Sequence, residues 1–134
     1  MPHGFDITDD HSKCDTEKKV REYWMQHGRI IVWSGESENT MYANPETNHA
    51  FRAWHDWVHV TMNLGHNTEH ESLVCRQQQE MVLFHAHKYV VGHDRWTLVK
   101  LLECEIIEQR KYYDRYGHYV PNQREFTKEY MGWK

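Results

Sequence analysis

The stretch that decides the fold is residues 44–63, which read NPETNHAFRAWHDWVHVTMN. Asn44 is a residue type that caps helices, Pro45 suits the first helical position, and Glu46 places a carboxylate in the first turn. Apolar side chains then recur at helical spacing, at Phe51, Trp54, Val58 and Met62. This pattern predicts an amphipathic helix from residue 45 to about residue 63.

Similar start and stop signals divide the rest of the chain. They predict helices over about 16–27, 69–89, 95–116 and 121–131, and a short β-branched extended segment over 29–33. Residues 1–14 are polar and unpatterned, which predicts a poorly ordered N-terminal segment. Residues 15–134 contain no repeat or Gly/Ser linker, so we expect one helical domain. The predicted fold is mainly α, a single-domain bundle of about five helices with one short strand or extended segment near the N-terminus.

The composition excludes several classes of protein. The chain has 134 residues, with 16 Lys and Arg against 20 Asp and Glu and a formal net charge of −4. A protein that coats duplex nucleic acid normally carries a strong positive excess, so we do not expect that partner. Apolar runs of four or five residues are far shorter than the roughly twenty that span a bilayer, so we expect no membrane segment.

The cysteines and the N-terminus predict a cellular location. Cys14, Cys75 and Cys104 are odd in number and far apart in sequence, which is typical of free thiols in a reducing compartment. The first residues contain neither a basic nor an apolar stretch of the kind found in secretory signals. We therefore expect a cytoplasmic protein.

Histidine is the most distinctive residue of this chain. There are 12 His, and eight of them lie between His49 and His93. Imidazole is the commonest metal-binding side chain and titrates near neutral pH, so this enrichment favours a metal or proton-transfer site.

Polar side chains also interrupt the apolar faces of the three long predicted helices. On helical wheels, the interrupting residues are His55 and His59 on the first, Glu71, Gln78 and His85 on the second, and Glu105 and Gln109 on the third. A buried carboxylate without a counter-charge costs several kcal/mol or becomes protonated. Because no Lys or Arg shares these faces, a metal ion is the simplest counter-charge.

The interrupting residues have suitable ligand chemistry. His55 and His59 have the i, i+4 spacing that places two imidazoles on one helix face, as in helical zinc sites. Glu71 and Glu105 would add oxygen ligands, a His/Glu mixture that also occurs in carboxylate-bridged iron and manganese centres. The sequence therefore predicts a divalent metal site of His55, His59, Glu71 and Glu105 that holds Zn, Fe or Mn.

Structural explanations of the same residues stay open. Glu71 can complete a capping box with Thr68, and Glu105 and Gln109 can form a buried hydrogen-bond network. His55 and His59 can be core-edge histidines that bind backbone carbonyls. The pair His55-Asp56 resembles the paired ligands of HD-type metal phosphohydrolases, but a resemblance of two residues assigns no family.

The predicted chemistry is hydrolysis by a metal-activated water of a small, anionic substrate such as a phosphoester or nucleotide. Asp56 or Glu108 would act as base, and Arg52 would stabilise negative charge. Two alternatives stay open: a non-haem iron oxidoreductase of the di-iron carboxylate type on the same residues, and a non-enzymatic, homo-oligomeric binding or inhibitor protein.

Overall fold

The structure is a computed structural model that describes residues 4–37, 40, 42, 44–85 and 92–133, with the backbone alone at 85, 92 and 93. It is mainly helical, as predicted. Its helices are α1 (Glu17–His27), α2 (Pro45–Met62), α3 (Thr68–His85), α4 (Gly92–Leu102), α5 (Gln109–Tyr116) and α6 (Gln123–Met131). A π-helical segment, Glu103–Glu108, joins α4 to α5 without a break, so the described residues form five continuous helices. The strands are β1 (Phe5–Thr8) and β2 (Ile30–Trp33).

The chain divides into two compact units, Met1–His66 and Asn67–Lys134. The first unit contains the sheet, α1 and α2, and the second contains the remaining helices. None of the described helices combines the length and the apolar character needed to cross a bilayer.

The first unit is built around β2. Ile30, Ile31 and Val32 are all buried, so this strand has the continuous apolar run of a fully covered strand. Beta1 pairs with it in parallel, with Phe5 opposite Ile30. Ala53 of α2 packs on the same cluster, and its small side chain lets the helix approach the strand closely.

Residues 5–13 contain regular structure, whereas the sequence predicts a poorly ordered segment over residues 1–14. Besides β1, this stretch contains a short 3₁₀ helix, His11–Lys13, capped by the Asp10 side chain. The strand forms because β2 offers it backbone hydrogen bonds, and such a distant partner leaves no local signal in the sequence.

Local capping chemistry sets the helix ends where the sequence predicted them. The side chain of Thr16 accepts from the Lys19 N–H at the start of α1, and Asn44 accepts from the Thr47 N–H at the start of α2. Alpha2 ends at Asn63, which adopts the left-handed conformation with φ 55° and ψ 47°. Asparagine tolerates this conformation better than other side chains do.

The buried face of α3 also agrees with its wheel. Glu71, Val74, Cys75, Gln78 and Val82 are all buried. The helix begins at Thr68, one residue before the predicted start at 69, and Asn67 rather than Thr68 caps it, because the Asn67 side chain accepts from the N–H of His70. The prediction that α3 continues to about residue 89, and the predicted role of the His85 side chain, lie outside the described residues.

The predicted burial on two other helices was partly wrong. Leu98 is 36% exposed and Tyr116 is 52% exposed, although both were placed in the apolar face of residues 95–116. The π-helical segment explains the Tyr116 error: its Gln109 N–H binds Cys104 O, five residues back, so later side chains are rotated by about 100° from an ideal wheel. On α2, Met62 is 40% exposed, whereas His59, placed nearer the edge, is 1% exposed.

Candidate metal centre

His59 is held in a defined orientation within the first unit. Its ring is 1% exposed, and Nδ1 lies 3.2 Å from the carbonyl oxygen of Leu64. Because a carbonyl only accepts hydrogen bonds, Nδ1 carries the ring proton and donates it. With the proton of this tautomer on Nδ1, the lone pair lies at Nε2, the arrangement found in most metal-ligating histidines.

His55 lies one helical turn before His59 and faces it. The two Nε2 atoms are 3.1 Å apart, and the ring centroids are 4.6 Å apart at an interplanar angle of 80°. The His55 ring also stacks on Phe51, with centroids 5.7 Å apart. Since Nε2 of His59 accepts, Nε2 of His55 is the donor in this arrangement. The two imidazoles therefore lie on one face of α2 with their Nε2 atoms in contact, and their assignment as metal ligands stays a prediction.

A third imidazole, His66, contacts His59 from the turn that follows α2. Its ring centroid lies 4.3 Å from that of His59, at an interplanar angle of 32°. His66 is not among the metal ligands predicted from the sequence. The sequence offers one indication: His66 directly follows Leu64 and Gly65, which end the predicted helix. Its contact with His59 depends on the path of the turn, which the sequence does not determine.

The two predicted carboxylate ligands belong to the second unit. Glu71 is buried in the first turn of α3, where its N–H binds the carbonyl of Asn67. Glu105 lies in the π-helical segment and accepts a 2.8 Å hydrogen bond from Nε2 of Gln109. This hydrogen bond between Gln109 and Glu105 is of the kind expected if the two residues form a buried hydrogen-bond network, the structural alternative given above. The assignment of Glu71 and Glu105 as metal ligands stays a prediction.

Arg52 has a structural environment that the sequence did not indicate. Its guanidinium donates from Nη1 to the carbonyls of Trp33 and Gly35, each at 2.7 Å, and from Nη2 to that of Glu36 at 3.0 Å. These carbonyls belong to the last residue of β2 and to the turn that follows it. Arg52 therefore fastens the end of the strand to α2.

The other two predicted catalytic residues are carboxylates. Asp56 is half-buried on α2, and its charge adds to the effect of burial in raising the pKa of the Cys14 thiol. Glu108 lies in the second unit and accepts from Lys111 at 3.3 Å. Their predicted role as base stays a prediction.

The two buried thiols of the second unit are poor nucleophiles at neutral pH. Burial, followed by the carboxylate of Glu103, raises the pKa of Cys75 to about 12. Burial likewise raises the pKa of Cys104 to about 11. A thiol with so high a pKa is almost entirely protonated at neutral pH, so neither residue is an activated nucleophile.

No protein-family model, curated protein or solved structure matches this chain.

Proposed function

We propose that this protein binds a divalent transition metal through Nε2 of His55 and Nε2 of His59. The observation that carries the proposal is the 3.1 Å separation of these two nitrogens, combined with the Nδ1–H bond from His59 to a backbone carbonyl. In a metal-free protein such a pair shares one proton. A metal ion between them would replace that proton and keep the carbonyl bond intact.

The separation also suits the bond lengths of zinc. Two nitrogens 3.1 Å apart can both bond Zn²⁺ at about 2.05 Å if the N–Zn–N angle is about 98°. That angle lies between the octahedral and the tetrahedral value, so the separation of the two nitrogens is compatible with either geometry. Imidazole ligands suit zinc and iron, whereas manganese favours oxygen ligands, and we therefore expect zinc or iron rather than manganese.

Two imidazoles fill only part of the coordination sphere of such a metal. Glu71 and Glu105 stay the carboxylate ligands that the sequence predicts, and water would occupy a position that the protein leaves open. A zinc ion held there would lower the pKa of a bound water and so supply a nucleophile for electrophilic centres near neutral pH. Hydrolysis of a small phosphoester or nucleotide is therefore the reaction that we propose for the metal-loaded protein.

Calorimetric titration of the chelator-treated protein with ZnCl₂ tests the metal site. We expect about one equivalent to bind the wild type, and the H55A and H59A variants each to lose at least tenfold in affinity, as a lost ligand contact would cause. H118A is the matched control, because His118 is an exposed histidine that binds the carbonyl of Tyr119. Equal affinity in wild type, H55A and H59A would exclude the site.

The carboxylate ligands and the reaction need separate measurements. E71Q and E105Q keep the side-chain shape and remove the charge, so each weakens zinc binding if the residue is a ligand and leaves it unchanged if it is not. Hydrolysis of p-nitrophenyl phosphate esters is then compared between zinc-loaded wild type and H59A. Iron as the metal retained on purification would favour the oxidoreductase alternative instead.

A further inference from the structure

Two hydrogen bonds join His59 to Leu64 in the turn after α2. The Leu64 N–H donates to the carbonyl of His59 at 3.0 Å, while the His59 ring donates from Nδ1 to the Leu64 carbonyl 3.2 Å away. The two bonds close a ring between residues 59 and 64. The orientation of the imidazole therefore depends on where this turn places the Leu64 peptide.

Asn63 sets the path of this turn. Its left-handed backbone reverses the chain immediately before Leu64, and its side-chain oxygen faces α1. There it accepts a 2.6 Å hydrogen bond from Nη1 of Arg21. Asparagine is suited to both roles, because it tolerates positive φ and also offers an acceptor, whereas glycine provides only the first.

Arg21 is itself held in place by an acidic partner. Its second nitrogen, Nη2, donates to Glu17 one turn earlier on α1. A planar guanidinium that binds two oxygens at once has little freedom to rotate. Hydrogen bonds therefore connect the surface of α1 to the His59 ring. They run from Glu17 to Arg21 and on to Asn63, whose neighbour Leu64 accepts from the ring.

We infer that Arg21 and Asn63 are positioning residues for the metal ligand His59. By fixing the turn, they keep the Leu64 carbonyl against Nδ1, which favours the tautomer with the proton on Nδ1 and directs Nε2 at His55. This inference rests on the proposed metal function, because the benefit of the fixed tautomer is a preformed ligand. It adds to that function the residues that determine how tightly the metal binds.

Three variants separate the contributions of the turn. N63G keeps the left-handed backbone and removes the acceptor, R21M removes the donor, and N63D keeps an acceptor for Arg21. Loss of an outer hydrogen bond to a metal ligand typically lowers metal affinity by 10–100-fold, and this pair acts one step further out, so we expect about a tenfold loss in N63G and in R21M. N63D retains wild-type affinity, and the double variant R21M/N63G is no weaker than either single variant.

The experiment combines two readouts on the full chain. Zinc affinity is measured by competition with a chromophoric chelator, and the tautomer of His59 is read from ¹⁵N chemical shifts of the metal-free protein. R115M is the control, since Arg115 contacts the Tyr116 ring in the second unit. The wild type and R115M show Nδ1 protonated, and R21M and N63G show a mixture of both tautomers together with weaker zinc binding.

The outcomes distinguish this inference from the proposed function. If the wild type binds zinc and R21M and N63G bind it equally well, the inference is wrong and the metal site stands. Weaker binding in these variants with an unchanged tautomer also overturns the inference. If the wild type binds no zinc, the proposed function fails, and the tautomers of wild type and R21M still decide whether the Arg21–Asn63 pair positions the ring.

Discussion

Replacement of Arg52 by methionine separates a structural from a catalytic role for this residue. The sequence predicts that Arg52 stabilises negative charge on a substrate, whereas in the structure its guanidinium donates to three carbonyls at the end of β2. Methionine keeps most of the aliphatic stem and removes every donor. If the contacts define the role, R52M loses stability and keeps its affinity for zinc.

The size of the effect follows from the contacts. Two of the bonds are partly buried and the third is exposed. Counting about 1 kcal/mol for each partly buried bond and about 0.5 kcal/mol for the exposed one gives a loss of about 2.5 kcal/mol in the free energy of unfolding. These values are below the range of about 1.5–3 kcal/mol for charged donors, because water reaches the carbonyls once the side chain is gone.

Urea denaturation followed by circular dichroism measures this loss. At a typical slope of about 1.5 kcal/mol per molar urea, the midpoint falls by about 1.7 M. R52K retains the charge but lacks the planar fork that reaches several acceptors, and we expect it to lose about half as much stability. An R52M protein as stable as wild type but unable to hydrolyse a substrate would refute the structural assignment and restore the catalytic one.

Three further predictions concern pH, thiol reactivity and packing. The hydrogen bond from the Tyr23 hydroxyl, assisted by Arg29, lowers the pKa of Asp6 below its ordinary 3.8, so the carboxylate stabilises the fold above about pH 4 and this contribution is lost as the pH falls through the lowered pKa. D6N should therefore cost about 1 kcal/mol in thermal denaturation at pH 7 and progressively less as the pH is lowered below about 4, and a pH-independent cost would contradict this. In native protein at pH 8, Ellman's reagent should modify Cys14, which is half-buried, well before Cys75, and the reverse order would be inconsistent with burial of Cys75. V74A removes two methyl groups from a fully buried site and should cost about 2–3 kcal/mol in chemical denaturation, so a change below about 0.5 kcal/mol would contradict the packing of α3.

The features that the sequence predicted are those set by neighbours along the chain. The Asn44 cap, the end of α1 at Gly28 and the facing pair His55 and His59 all depend on residues within one or two turns. Beta1 was missed because its stability comes from pairing with β2, a distant segment. The π-helical segment was missed because nothing in its composition distinguishes it from an α-helix.

The supports of the site were harder to predict than its two imidazoles. The bond from His59 to Leu64 requires a left-handed residue at Asn63, and the bond from Arg21 to Asn63 requires the packing of α1 on α2. Neither follows from spacing. The carboxylates Glu71 and Glu105 were chosen from helical wheels. A wheel assumes a constant angle of about 100° per residue, and the π-helical segment breaks that assumption for the residues that follow it.

Anomalous diffraction from a zinc-soaked crystal, recorded at the zinc absorption edge, tests the central claim most directly. The proposed site predicts one strong peak at about 2.0–2.1 Å from Nε2 of both His55 and His59, with Nδ1 of His59 still bound to the Leu64 carbonyl. A map with no peak between these two nitrogens, or with zinc only at other histidines, would contradict the claim.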